Sequence, residues 1–220
     1  PCTIRGINPF ANRAAKTVFI DNVPILDELF YRYDDKEKKN KVICHVGGLT
    51  YSRGITHLIK ASYKAGAKLI LAGNFSPNEY YKEVLEMKEY SCADYRGLVD
   101  REGIVQIYKQ SLIGICTILN VGQYNKSDNL ATKVYEYMSM GLPVIISDYP
   151  YVREVLGNYE FGIAVDPENI DEVTDAIDYL VNNLDIAIKM GAEGRRAVKE
   201  KFNWEIEEQK LLELYKQLKH

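Results

Sequence analysis

The chain has 220 residues, with 28 basic and 31 acidic side chains and a formal net charge of −3. A hydrophobic share of 46% beside 27% charged residues excludes a mainly disordered chain. The mild negative charge argues against a broad nucleic-acid footprint, and no apolar run reaches the roughly 18–20 residues that span a bilayer.

The chain begins Pro1-Cys2 without Met, as either a chain that has lost its initiator Met or an excised piece of a longer protein would. No basic-then-apolar signal pattern follows. Residues 1–33 hold a short strand candidate, Thr17–Ile20, and an apolar helix candidate, Ile25–Phe30, too little for a domain. The run Asp34–Asn40, DDKEKKN, reads as a solvated loop. Beyond it short apolar runs alternate with amphipathic ones. The strand-length runs are Val42–Val46, Lys68–Ala72, Tyr95 with its neighbours, Gly114–Ile118, Pro143–Ser147 and Gly162–Val165. Helices are predicted near Gly54–Tyr63, Asn78–Tyr90, Glu102–Gln110, Thr132–Met140 and Tyr151–Leu156. Such alternation predicts a Rossmann-like α/β/α fold with a parallel sheet of about six strands. After Asp166-Pro167 a helical tail follows, near 169–183, 185–200 and from Trp204, with Asn203 as N-cap. In the last helix Leu211, Leu214, Tyr215 and Leu218 form an apolar stripe.

Cys2, Cys44, Cys92 and Cys116 form no CxxC pair and read as buried free thiols of a reducing, cytoplasmic compartment. His45, His57 and His220 lack metal-ligand spacing, so no metal is expected. Seventeen tyrosines are scattered, without the basic groove that single-stranded nucleic acid needs. Three places could hold a ligand. Gly47-Gly48 ends the first strand and Arg53-Gly54 opens the next helix, where an open α/β sheet binds ligands and an Arg fork grips phosphate; a plain strand–helix turn would look the same. Lys133 and Glu136 share a face at a helix N-terminus that suits phosphate, Lys133 for the anion and Glu136 for ribose hydroxyls. The alternative there is an exposed Lys–Glu pair worth a few tenths of a kcal/mol. Tyr95-Arg96-Gly97-Leu98-Val99-Asp100 lies at another strand's carboxyl end and either presents backbone to a base or is an ordinary connection.

The run Val46-Gly-Gly-Leu-Thr-Tyr-Ser-Arg-Gly-Ile, then Leu71-Ala-Gly73, Tyr95-Arg-Gly-Leu-Val, Lys133-Val-Tyr-Glu-Tyr-Met-Ser-Met-Gly-Leu-Pro-Val-Ile and Gly162-Ile-Ala-Val-Asp-Pro resembles the C-terminal half of group 1 glycosyltransferases with the GT-B fold. The likeness runs over about 17–218 and includes Phe202-Asn-Trp204 at the last helix. It implies a linker and first element over 1–36 and a donor-binding domain over 37–220. It further implies that Gly47, Gly48, Arg53, Gly73, Gly97, Leu98, Val99, Lys133 and Glu136 bind the nucleotide sugar, a UDP- or GDP-sugar, without a separate cofactor. Arg53 and Lys133 would act on the departing phosphate, and Glu136 would hold the ribose. Gly48 stands where the family often carries Arg, which leaves one diphosphate charge missing or supplied by Lys133. Asp128 stands at the first Glu of the E-x7-E motif, one methylene shorter, with a catalytic role near the sugar. The resemblance also implies an N-terminal acceptor-binding domain ahead of Pro1 and no activity in this piece alone. The intact enzyme would be cytoplasmic, peripheral to the inner face of the cytoplasmic membrane, and would pass a sugar with retention to a polysaccharide or lipid-linked acceptor. A related nucleotide-sugar epimerase and a non-catalytic nucleotide-sugar-binding module are the rival readings.

Overall fold

The computed structural model describes residues 18–33, 41–121 and 129–218. The first helix, α1 (Leu26–Leu29), runs into a 3-10 turn, Phe30–Arg32. Strands and helices then alternate: β1 (Val42–Val46), α2 (Ile55–Lys64), β2 (Lys68–Ala72), α3 (Asn78–Leu85), β3 (Ala93–Tyr95), α4 (Arg101–Gln110), β4 (Ile113–Cys116), α5 (Thr132–Ser139), β5 (Val144–Ser147), α6 (Pro150–Asn158) and β6 (Gly162–Val165). Three helices complete the described chain: α7 (Ile170–Asn182), α8 (Leu184–Glu200) and α9 (Trp204–Leu218).

All six strands are parallel, in the order β3-β2-β1-β4-β5-β6. The expected Rossmann-like α/β fold is therefore present. Successive strand residues point to opposite faces, so β1 feeds two cores. Cys44 and Val46 join residues of α4, α5, α6 and α8, while Ile43 joins residues of α2, α3 and α7. Burial on both faces is why these strands read as continuous apolar runs. Side-chain caps start α4, α7 and α9: the Asp100 carboxylate accepts from the Gly103 N–H at 2.8 Å, Asn169 from Glu172 at 3.2 Å and Asn203 from Ile206 at 3.1 Å.

Two local expectations fail. Val18–Ile20 forms no strand, and Phe19 is half exposed there. The helix expected over Asn78–Tyr90 stops at Leu85, because Met87 turns to extended backbone, φ −73° and ψ 129°, before a 3-10 turn, Lys88–Cys92. Thr17, the Asp34–Asn40 run, Cys2 and Asp128 lie outside the described residues. The entering segment rides on the C-terminal helices: Trp204 donates to the Pro24 carbonyl at 2.9 Å, and the Arg195 guanidinium sits 4.0 Å over the Phe30 ring and 4.2 Å over Tyr33.

β1 lies between β2 and β4, so the chain order reverses at the β1–β4 boundary. A crevice opens beyond the strand ends at such a point, and ligands of open α/β sheets bind there.

Candidate functional site

The loops beyond β1, β2 and β3 are laced together by backbone. Gly47 donates to Ala72 O at 2.8 Å, Gly73 donates to Gly97 O at 2.8 Å, and the Tyr95 hydroxyl donates to Gly73 O at 3.0 Å. Gly73 has φ +135°, and a Cβ on it would stand 1.9 Å from the Gly47 carbonyl oxygen, so no other residue fits. At Gly54, φ is +64° and a Cβ would stand 2.6 Å from the Thr117 carbonyl oxygen. The 3-10 turn Tyr51–Arg53 is thereby drawn onto the loop after β4, where Leu119 donates to Ser52 O at 2.9 Å, and Arg53 is carried to the crevice.

Lys133, in the first turn of α5, reaches across the switch point to β1. Its Nζ lies 2.9 Å from His45 Nε2 and would lie 2.9 Å from a Cβ on Gly47. His45 is fully buried, and its Nδ1 stands 3.1 Å from the Ile115 carbonyl oxygen. A carbonyl only accepts, so Nδ1 carries the proton and Nε2 offers its lone pair to the Lys133 ammonium. Burial pushes the His45 pKa well below 6.5, and the Lys133 and Arg53 charges push the same way. Burial also lowers Lys133, and Arg53 adds to the effect. Two cations thus press on one desolvated place, and a bound anion would relieve both costs. No side chain caps α5, whose N-cap is Ala131, and the N-terminus of a helix favours an anion.

Glu136, one turn further on, has a different setting. Arg101 NH1 donates to its Oε1 at 2.6 Å and the Tyr108 hydroxyl to its Oε2 at 2.6 Å. Burial raises the Tyr108 pKa far above its usual value, which keeps that hydroxyl a donor. The other arm of Arg101 meets Glu28 of α1 at 2.7 Å, while its buried Nε has no partner among the described residues. An unpaired buried donor costs about 1–3 kcal/mol, so packing alone does not account for this pose. Tyr137 fixes the level of α5 on the sheet. A Cβ on Gly114 would stand 2.3 Å from the Tyr137 ring, and the Tyr137 hydroxyl accepts the Val46 N–H at 3.0 Å.

A cavity of about 260 Å³ flanks the cluster at the ends of β4 and β5, lined by Arg53, Cys116, Ile118, Leu130, Ile146 and Tyr149 among others. Among the described residues no three His, Cys, Asp or Glu side chains gather as a metal site, and no helix is long and apolar enough to cross a membrane.

The profile of "Glycosyl transferases group 1" matches residues 30–197. The chain belongs to this family. Relatives include an uncharacterized glycosyltransferase of Methanocaldococcus jannaschii, 23% identical over 192 residues, which cover 85% of this chain and 47% of that one. A GDP-mannose-dependent α-(1-6)-phosphatidylinositol monomannoside mannosyltransferase of Mycobacterium tuberculosis is 31% identical over 78 residues, 36% of this chain and 20% of that one. The chain thus spans about half, or less, of the length of these relatives. The fold is shared with sucrose-phosphate synthase of Thermosynechococcus elongatus, TM-score 0.76 at 21% identity over 96% of this chain and 54% of that one. It is shared too with Anabaena HepE in complex with UDP and glucose, TM-score 0.75 at 16% identity over 94% and 59%.

Against this group 1 background, Gly47, Gly73, Arg53, Lys133 and Glu136 gather at the switch point. Lys133 and Glu136 do not form the exposed ion pair that their spacing also allowed; each turns to a different partner. Gly48 is exposed with nothing within 4 Å of a Cβ position, Gly97 takes φ +64°, and Leu98 is 74% exposed beside Val99 at the open end of the crevice. Asp128 lies outside the described residues. Sequence reasoning passed over His45, Tyr137, Arg101 and Tyr108. His45 left one signal, a polar ring inside the apolar run Val42–Val46; the others depend on how α4 and α5 cross the sheet.

Proposed function

We propose that residues 37–220 are the donor-binding domain of a retaining glycosyltransferase, with residues 1–36 as linker and first element. The intact enzyme takes a hexose-type sugar from a UDP- or GDP-sugar to a polysaccharide or lipid-linked acceptor held by a second domain. The observation that carries this reading is the Lys133 ammonium braced on neutral His45, beneath the Gly47 loop and beside Arg53 at the uncapped start of α5. That cluster suits a diphosphate, and Glu136 one turn on suits the ribose. Gly47, Gly48 and Gly73 let the ligand approach backbone, while Gly97, Leu98 and Val99 border the base.

Chemically, the domain would act by stabilising the diphosphate as it departs, a charge that grows in the transition state. Lys133, Arg53 and the α5 N–H groups are the stabilisers, and Asp128 would face the sugar. Acceptor positioning and water exclusion need the second domain, so this piece alone would bind donor without transfer. The intact enzyme would work in the cytoplasm at the membrane's inner face. Calorimetry with UDP and GDP tests the reading. Arg53→Ala and Glu136→Ala should each weaken binding by roughly 1–3 kcal/mol, the worth of a charged hydrogen bond. Unchanged affinity in both variants would sink it.

A further inference from the structure

We propose that Arg101 is the positioning residue that presents the Glu136 carboxylate to the ribose hydroxyls of the nucleotide, an inference that rests on the donor-binding reading above. Arg101 opens α4, directly after the loop that borders the base, and its planar fork is divided between two carboxylates. One arm holds Glu136 Oε1 at 2.6 Å and the other holds Glu28 of α1 at 2.7 Å. The Tyr108 hydroxyl takes the second Glu136 oxygen at 2.6 Å, from the last turn of the same helix. Glu136 is thus gripped from both ends of α4. Its side chain keeps 14% exposure, against 38% for Arg101.

Each carboxylate oxygen has two lone pairs. Arg101 and Tyr108 occupy one on each, which fixes the plane and tilt of the group and leaves one acceptor per oxygen. Two adjacent ribose hydroxyls supply two matching donors. Arg101 spends one donor of each arm on a carboxylate, and the role assigned to it is to orient one of them. It acts through Glu136. Glu28 braces the guanidinium from the far side, so α1 contributes to the alignment. A lysine would deliver the charge without the two-armed geometry.

A merely structural clamp, stitching α1 to α4 and α5, would change melting temperature and leave ribose discrimination alone. The test therefore reads discrimination. UDP and GDP, each beside its 2′,3′-dideoxy analogue, are titrated by calorimetry into the full chain, R101Q, R101K and E28Q. R196Q serves as control, since Arg196 forms ion pairs with Glu193 and Glu200 within α8, away from Glu136. R101Q should lose about tenfold in affinity for the ribonucleotide, as for one charged hydrogen bond misplaced, while its affinity for the dideoxy analogue stays as in the unmodified protein. Retained dideoxy binding also shows that the variant is folded. R101K should recover part of the preference, E28Q should lose less, and R196Q should match the unmodified protein. A ribo-to-dideoxy ratio in R101Q equal to that of the unmodified protein overturns the positioning role and spares the donor reading. If the unmodified protein binds neither diphosphate, the donor reading falls, and the positioning role falls with it.

Discussion

The two ends of the crevice are built differently. At the Lys133 end several polar groups are braced by a second one: Lys133 by His45, His45 by the Ile115 carbonyl and Gly47 by Ala72. At the Leu98 end the side chain is 74% exposed and Gly97 has nothing within 4 Å of a Cβ position. The difference follows from cost. A charge to be met by a partly buried cation needs preorganised partners, because desolvation must be offset before the ligand arrives. An uncharged group carries no such cost and can be met by an open loop.

The comparison is broken most severely at Gly73. Gly73→Ala puts a methyl 1.9 Å from the Gly47 carbonyl oxygen at φ +135°. It should cost roughly 3 kcal/mol of stability by chemical denaturation, through strain and overpacking together. Lys133→Met comes next. It removes the ammonium and keeps the stem, so affinity for UDP or GDP should fall by about 2–3 kcal/mol while uridine or guanosine binding is unchanged. Equal losses for nucleoside and diphosphate would show that Lys133 does not face the phosphates.

His45→Gln sharpens the same end through pH. The folded histidine is held below its ordinary 6.5, so the unfolded chain binds the extra proton first. Its contribution is therefore complete above pH 6.5 and is lost as pH falls from there toward the folded pKa. Denaturation midpoints should drop less steeply with acid in His45→Gln than in the unmodified protein, and parallel curves would refute the neutral assignment. The smallest effect belongs to the open end: Leu98→Ala should change stability by under about 0.5 kcal/mol, since the side chain packs little, with only a modest loss of nucleotide affinity by calorimetry.

Much of the architecture was legible in local pattern. The runs Val42–Val46, Lys68–Ala72 and Gly162–Val165 coincide with β1, β2 and β6, and in β1 and β2 burial on both faces makes the strand largely apolar beyond its first residue. Asn203 was legible as an N-cap for the same local reason. Val18–Ile20 misled, since an apolar run favours a strand only where its side chains pack, and Phe19 is half exposed there. At the site, the glycines and Arg53, Lys133 and Glu136 stood out by residue type at strand and helix ends.

What the sequence determined by itself is the alternation of strands and helices, the group 1 pattern and the short set of charged residues at the strand ends, all consequences of local periodicity and spacing. What only the tertiary structure decided is which partner each of those charges meets. The helix spacing that puts Lys133 and Glu136 on one face says nothing of β1 or α4. It took the parallel order of the sheet to bring His45 under Lys133, and the crossing of α4 beside α5 to bring Arg101 and Tyr108 to Glu136. Desolvation, and with it the strength of every charge in the crevice, is a property of that packed arrangement rather than of the chain.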